Sequence, residues 1–288
     1  MFFGTAACVN AQINVDGTRD SAYGNPVAVQ TANTGFGSQT AATGGNQLDA
    51  AYGAIQNGNL YLFFAGNTSD GNPLDVFIDD GHSGGQNTFN VSGGGFSPTA
   101  TEAMDGSVFS PGFNANYAVS LNTFAGTIYG NLFDLVAGTG GYAGSAPDAG
   151  GNIGGVQVAV NESSPAGSAS NTGAGAAAVQ TGWELAIPLS DLGNPTSVEV
   201  LADINGQNEN YLSDQFLPGL PNGTGNLGGG GPYSGSSGGV FNFGSTPNEF
   251  FTVSASVPDG ANTFGLLLAG AGAMGFCRRF MAGMFGRR

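Results

Sequence analysis

The chain has no lysine, one histidine, one tryptophan and two cysteines in 288 residues. Its cations are five arginines, Arg19, Arg278, Arg279, Arg287 and Arg288, set against 20 acids for a net charge of −15. Between Gln12 and Val257 the imbalance grows: 19 acids against Arg19 alone leave −18. Nucleic acid is thereby excluded as a partner, because displacing counterions from phosphate needs clustered cations. Direct adhesion of this stretch to anionic lipid is disfavoured for the same reason. Cys8 and Cys277 lie close to the two ends, so the region between them holds neither a disulfide nor a cysteine metal site. With a single histidine and no thiol there, zinc is not expected. Charged residues are only 9% of the chain, well below an ordinary soluble domain.

What is abundant is apolar and turn-forming. Hydrophobic residues make up 40%, enough to bury a core, and 53 residues are glycine. Polarity comes from Asn, Ser, Thr and Gln, a balance that suits an extracellular β protein better than a cytosolic enzyme. The acidity is open to two readings, attraction of divalent cations or a soluble, self-repelling surface.

From Gln12 to Val257 the apolar residues recur with period two between Gly/Asn/Ser turns. Strands are predicted at Ile13–Val15, Val27–Thr31, Leu48–Gln56, Leu60–Asn67, Leu74–Asp79, Tyr117–Leu121, Thr127–Phe133, Val156–Asn161, Gly182–Pro188, Val198–Asn205 and Phe250–Ser256. Gln56-Asn57-Gly58-Asn59 predicts a tight hairpin, since Asn-Gly supplies the positive φ angles of a type I′ turn. Ser83–Pro111, Gly138–Gly155 and Gly219–Gly244 read as long surface loops. No segment here sustains a helical period over three turns, and no internal repeat is evident. The expected fold is all-β: an antiparallel two-sheet sandwich with jelly-roll-like connections.

The ends differ from this body. Residues 1–11 are apolar and finish Val9-Asn10-Ala11 before Gln12, as at the end of a secretory signal cleaved after Ala11. No basic segment precedes them, so the true start is expected upstream of Met1. At the other end Val257-Pro258-Asp259-Gly260 leads into an uncharged run from Thr263 to Cys277. Arg278-Arg279 follow, then a short apolar stretch and Arg287-Arg288. A helix of about 14 residues spans ~21 Å, short of a ~30 Å hydrocarbon core, but arginine side chains can extend it by reaching to the interface. The arginines would stay cytoplasmic and the acidic body outside. Residues 257–288 are therefore expected to form a sorting signal with one apolar transmembrane helix.

This ending resembles the PEP-CTERM sorting signals of Gram-negative bacteria, with Pro258-Asp259-Gly260 where the family has Pro-Glu-Pro; it is closer to the Val-Pro-Asp-Ser-Gly variant. The resemblance implies export, processing by an exosortase-like membrane enzyme, and passage through an inner-membrane-anchored form. The body, too, has a likeness. Ile13-Asn-Val-Asp16-Gly17-Thr-Arg-Asp20-Ser-Ala-Tyr23, Asn59-Leu-Tyr-Leu, Leu74-Asp-Val-Phe-Ile-Asp79 and Gly182-Trp-Glu-Leu-Ala-Ile-Pro-Leu189 look like successive strands of DOMON-like and family-nine-like carbohydrate-binding sandwiches. That resemblance implies a sandwich body able to bind a polysaccharide.

Residues able to do chemistry are few. A Ser-His-Asp arrangement would have to use His82, which follows Asp79 and Asp80 in one loop. Calcium takes oxygen ligands, and two stretches offer them. One is Asp203, Asn205, Gln207 and Glu209, alternating at a strand end without EF-hand spacing; the other is Asp79-Asp80. A structural calcium and the capping of turns are both open for them. Trp183 shares the apolar side of its strand with Leu185 and Ile187 and is expected in the core. Tyr142, Tyr211 and Tyr233 lie in or near predicted loops and could offer ring faces to a sugar. The resulting expectation is an exported, non-enzymatic surface or matrix protein, with a carbohydrate-binding module as the alternative and a His82 hydrolase third.

Overall fold

Alternation along a single strand is enough to show how the layers are built. In Leu74-Asp-Val-Phe-Ile-Asp79, Leu74, Val76 and Ile78 join one core, whereas Phe77 joins another on the opposite face. A strand buried on both faces belongs inside a sheet that is itself covered on both sides. The computed structural model describes residues 11–36, 45–68, 71–163, 172–229 and 239–255. The described residues all belong to one compact unit that ends at Ala255.

The first strands in chain order are β1 (Ala28–Val29), β2 (Gln47–Gln56), β3 (Asn59–Asn67), β4 (Leu74–Asp79) and β5 (Gly95–Phe96). A meander follows: β6 (Tyr117–Phe124), β7 (Thr127–Asp134) and β8 (Thr139–Pro147). Then come β9 (Gly151–Ile153), β10 (Val156–Val160), the short helix α1 (Gly173–Ala177) and β11 (Gly182–Pro188). β12 (Ser197–Asn205), β13 (Leu212–Leu217) and β14 (Phe251–Ser254) complete the set. The smaller sheet has the order β1-β2-β3-β11-β10-β9, and the larger β13-β12-β4-β6-β7-β8-β5, with β14 sharing one side of β12 with β13. Neighbours pair antiparallel except β5 with β8. The fold is thus an all-β, two-sheet sandwich, as the periodicity predicts. Its crossings lie side by side, β3 pairing with β11 and β4 with β12. A jelly-roll wrap would nest these pairs, so that part of the expectation is corrected.

Between the sheets lies a core of Leu62, Phe64, Val76, Ile78, Leu121, Trp183, Leu185 and Val200, among others. Trp183 is fully buried, with its indole N–H donating to Thr68 Oγ1 at 3.3 Å. The β2–β3 hairpin turns at Asn57 and Gly58, with φ of 53° and 78°, as the Asn-Gly pair predicts. One side of the sandwich is closed by amides. Gln30 Nε2 donates to the carbonyls of Leu48 and Phe216, both at 3.1 Å, which ties β2 to β13 across the two sheets.

Two predicted loops are something else. Gly138–Gly155 forms β8 and β9; glycine-rich Thr-Gly-Gly-Tyr-Ala-Gly shows no apolar period, yet β7 supplies the hydrogen bonds that make it a strand. Ser83–Pro111 folds down instead of running over the surface, burying Phe89, Val91, Met104 and Phe109 on the outer face of the larger sheet. Phe241 and Phe243 come down on the same face. Ring centroids there stand 4.9 Å apart for Phe77–Phe109 and 5.0 Å for Phe241–Phe243. Each buried Phe contributes ~1.5–3 kcal/mol. β13 escapes prediction because it is buried on both faces and Ser213, Asp214 and Gln215 interrupt its apolar residues Leu212, Phe216 and Leu217. Ile13–Val15 forms no strand.

The segment that begins the described chain covers the other sheet, packing Ile13 and Tyr23 on Tyr52 and Phe63. Its anchor is Glu184 of β11. The Glu184 carboxylate accepts the backbone N–H groups of Asp16 and Gly17 at 2.9 and 3.0 Å and the Tyr23 hydroxyl at 2.8 Å. Gly17 has φ of 75°, and a Cβ there would stand 2.6 Å from the Asn161 nitrogen, so only glycine fits. The Val-Asp-Gly turn and the Trp-Glu strand of the sandwich resemblance are therefore two halves of one staple. Glu184→Ala leaves two buried donors and one part-buried donor without an acceptor and should cost about 3 kcal/mol in urea unfolding; Glu184→Gln, which keeps an acceptor, should cost less.

Candidate functional site

Register across the larger sheet lines up one row on its outer face: Phe216, Asp203, Asp75, Ser120, Asn131 and Tyr142. Directly opposed residues stand ~4.5–5.5 Å apart at Cβ, so each touches the next. The row begins in the phenylalanine core and ends at Tyr142, which is 61% exposed. One pair nearer the β6–β7 turn, Asn122 opposes Tyr129.

Asp203 and Asp75 are buried side by side, and the chain brings Glu209 to them. Glu209 sits in a 3₁₀ turn (Gln207–Glu209) after β12, where Asn208 and Glu209 adopt φ of 64° and 52°. Two successive non-glycine residues in this region cost ~1–3 kcal/mol each. Glu209 is held there by Thr101 and Ser120, whose hydroxyls donate to its Oε1 at 2.8 and 2.9 Å. Asn205 Oδ1 steadies the same loop by accepting the N–H groups of Gly206 and Tyr211.

The cluster carries more charge than it can accommodate. Both oxygens of Asp75, both of Asp203 and Oε2 of Glu209 are buried without a donor. The Ser120 hydroxyl also faces Asp75, but its single proton goes to Glu209. Burial, then Glu209 and Asp203, pushes Asp75 well above the usual carboxylate range. Burial and Glu209 do the same to Asp203, and burial lifts Glu209 to about 7.

Beside this cluster an open cleft of 280 Å³ meets solvent. Asn122, Tyr129 and Asn131 of the β6–β7 sheet surface line one part, and Gln207, Asn208 and Glu209 another. Phe124, 58% exposed, and Tyr129, 37% exposed, stand at it, and Tyr142 lies on the next strand of the same face. Exposed rings beside several side-chain amides can take the apolar face of a pyranose and its hydroxyls together.

The residues singled out from sequence fall in several places. Asp203 and Glu209 come together, with Asp75 as their third member, while Gln207 lines the cleft and the Asn205 amide oxygen is committed to its own loop. Among the described residues no group of three acid, histidine or cysteine side chains is placed to hold a metal ion. Asp79 and Asp80 lie at the far end of β4 and cap turns: Asp79 accepts from Gly81 and Asn114, and Asp80 from His82 N–H. His82 Nδ1 is 3.1 Å from Asp80 Oδ1, an ion pair when the ring is protonated. Tyr211 stacks on Phe36 at 5.6 Å, and Tyr142 belongs to β8 rather than to a loop. Ala11 is the exposed first described residue. Tyr233, Val257, Pro258, Asp259, Gly260, Arg278, Arg279, Arg287 and Arg288 lie outside the described residues. Among those described, no helix is long and apolar enough to cross a membrane. Sequence reasoning misses Asp75, Thr101, Ser120, Asn122, Tyr129 and Asn131. For all but Thr101, which sits in the 3₁₀ helix Ala100–Met104, the available signal was their place in the period: polar residues in otherwise apolar strands, all on one side. No family model, curated protein or solved structure matches this chain.

The buried acids predict a pH dependence. Asp49 is lifted to about 8, and Glu184, Glu209 and Glu249 to about 7, burial being the leading cause in each. The unfolded values are ~3.9 for Asp and ~4.3 for Glu. A folded pKa above the unfolded one means that stability is whole below ~4 and is lost as pH rises through about 7 to 8. The urea midpoint should therefore fall steadily from about pH 5 to about pH 8.

Proposed function

We propose that this chain is an exported, non-enzymatic surface or matrix protein whose sandwich holds a glycan on the outer face of its larger sheet. One observation carries the reading: Phe124, Tyr129 and Tyr142 are exposed on one sheet face, the first two lining a cleft together with amide side chains. Only six large hydrophobic side chains among the described residues are exposed, and half of them share this face. Solvent-facing rings gathered on one face call for a partner, whereas the same rings scattered singly would not.

Export rests on the sequence of the two ends. Secretion ends with cleavage after Ala11, and Val257-Pro258-Asp259-Gly260 serves as the sorting motif. Thr263–Cys277 serves as the apolar membrane run of that signal, with Arg278, Arg279, Arg287 and Arg288 as its basic stop on the cytoplasmic side. An exosortase-like enzyme then releases the body to the surface of a Gram-negative cell. Mass spectrometry of the protein from its native cells should find Gln12 at the start and nothing beyond about Val257. An intact Arg288 in the membrane fraction would replace sorting with a permanent anchor.

The glycan reading is tested by electrophoresis of the purified protein through gels containing neutral polysaccharides. Retardation by at least one is expected, and Tyr129→Ala should weaken it about tenfold, the loss of one ~1.4 kcal/mol ring contact. Free migration through every gel overturns the reading.

A further inference from the structure

A second opening lies at the other end of β4, β6 and β7, where the two sheets part. Ile78, Val119 and Leu132 of the larger sheet meet Val156, Ile187 and Leu192 across a cavity of 310 Å³. These six side chains are members of the inter-sheet core or pack against it, so the cavity is a break in the seal of the hydrophobic interior. Its volume falls within the range of small-molecule pockets, which are typically apolar with a few convergent polar groups.

Those polar groups are of one sign. Asp134 ends β7 opposite Tyr117, and Asp191 belongs to the 3₁₀ turn Leu189–Leu192 that follows β11. All three line the opening. Burial and then the negative fields of Asp134, Asp80 and Asp191 push the Tyr117 phenol upward, so three carboxylates act on one point of the rim. Asp80 has His82 beside it, but among the described residues Asp134 and Asp191 have no basic partner. The one described arginine, Arg19, is occupied on the outer face of the smaller sheet, where it donates to Gln180 and lies over the Tyr52 ring at 4.5 Å. The body as a whole adds its net −18 to the same field.

We propose that this opening binds a small organic cation with an apolar body, a primary aryl- or alkylamine, its hydrocarbon between the sheets and its ammonium at Asp134 and Asp191. The hydrocarbon replaces water against Val119, Leu132, Val156 and Ile187. The ammonium stays at the rim, where solvation is kept and two carboxylates are near. A carboxylate of the same shape meets like charge, and a neutral alcohol forgoes the attraction. The site is independent of the glycan face, at the other end of the same strands.

Titration of the full chain with phenethylamine, phenethyl alcohol and phenylacetate, followed by ligand-observed NMR, tests this. The amine should bind about tenfold tighter than the alcohol, and the acid should show no binding. Salt at ~1 M, where the Debye length is ~3 Å, should erase most of the amine's advantage. Asp134 Oδ1 accepts the N–H groups of Val136 and Ala137 at 3.1 and 2.8 Å, a role an amide oxygen keeps, so Asp134→Asn with Asp191→Asn should leave the chain folded, lower the amine to the level of the alcohol and leave the alcohol alone. Equal affinity of amine and alcohol, no binding of either, or an amine preference that survives the double variant overturns the proposal.

Discussion

The outer face of the larger sheet is too apolar to stand in water, and much of the structure follows from covering it. Phe77, Ala118, Phe133 and Leu201 lie on that face and not between the sheets. Left open, such a patch would favour association. The chain covers it with Phe89, Met104, Phe109 and Phe113 before β6, and with Phe241 and Phe243 before β14. The long glycine-rich connections are therefore a third layer, with a core of its own.

That covering explains the buried acids. Asp75 and Asp203 point outward on their strands, where an uncovered sheet would leave them hydrated. Under the third layer they are enclosed, and the 3₁₀ turn that carries Glu209 closes over them. Groups that would ionise freely on a surface are held toward their protonated forms. At the margin of the same layer the covering stops, and there Asn122, Tyr129 and Asn131 come into solvent contact as one side of the cleft. Core, acid cluster and cleft are successive zones of one face.

The smaller sheet solves its own covering problem differently. Its outer face is closed by the segment from Ile13 to Tyr23, fastened through a single carboxylate. Glu184 resembles a ligand-binding acid when read in isolation, since it is lifted to about 7 by burial. Its three donors are all internal, so its work is to hold the first described segment in place.

Much of the strand content was legible because period-two apolar spacing is a local property. β2, β3, β4, β6, β7, β11 and β12 could be read that way, as could the Asn57-Gly58 turn and the burial of Trp183. β8 and β13 could not. Glycine has no side chain to show a period, and the buried amides and acids of β13 look like surface until their partners are known. The candidate site was half visible: Asp203 and Glu209 stand out as oxygen-bearing residues, but Asp75 and Ser120 come from strands far away in the chain. Register places them in one row only once β12, β4 and β6 are neighbours, and no local pattern says which distant strands pair. The sequence by itself determined the strand-forming segments, the acidic body and the separate character of the two ends. Only the tertiary structure decided which strands are neighbours, and with that which polar residues are sealed in and which meet solvent.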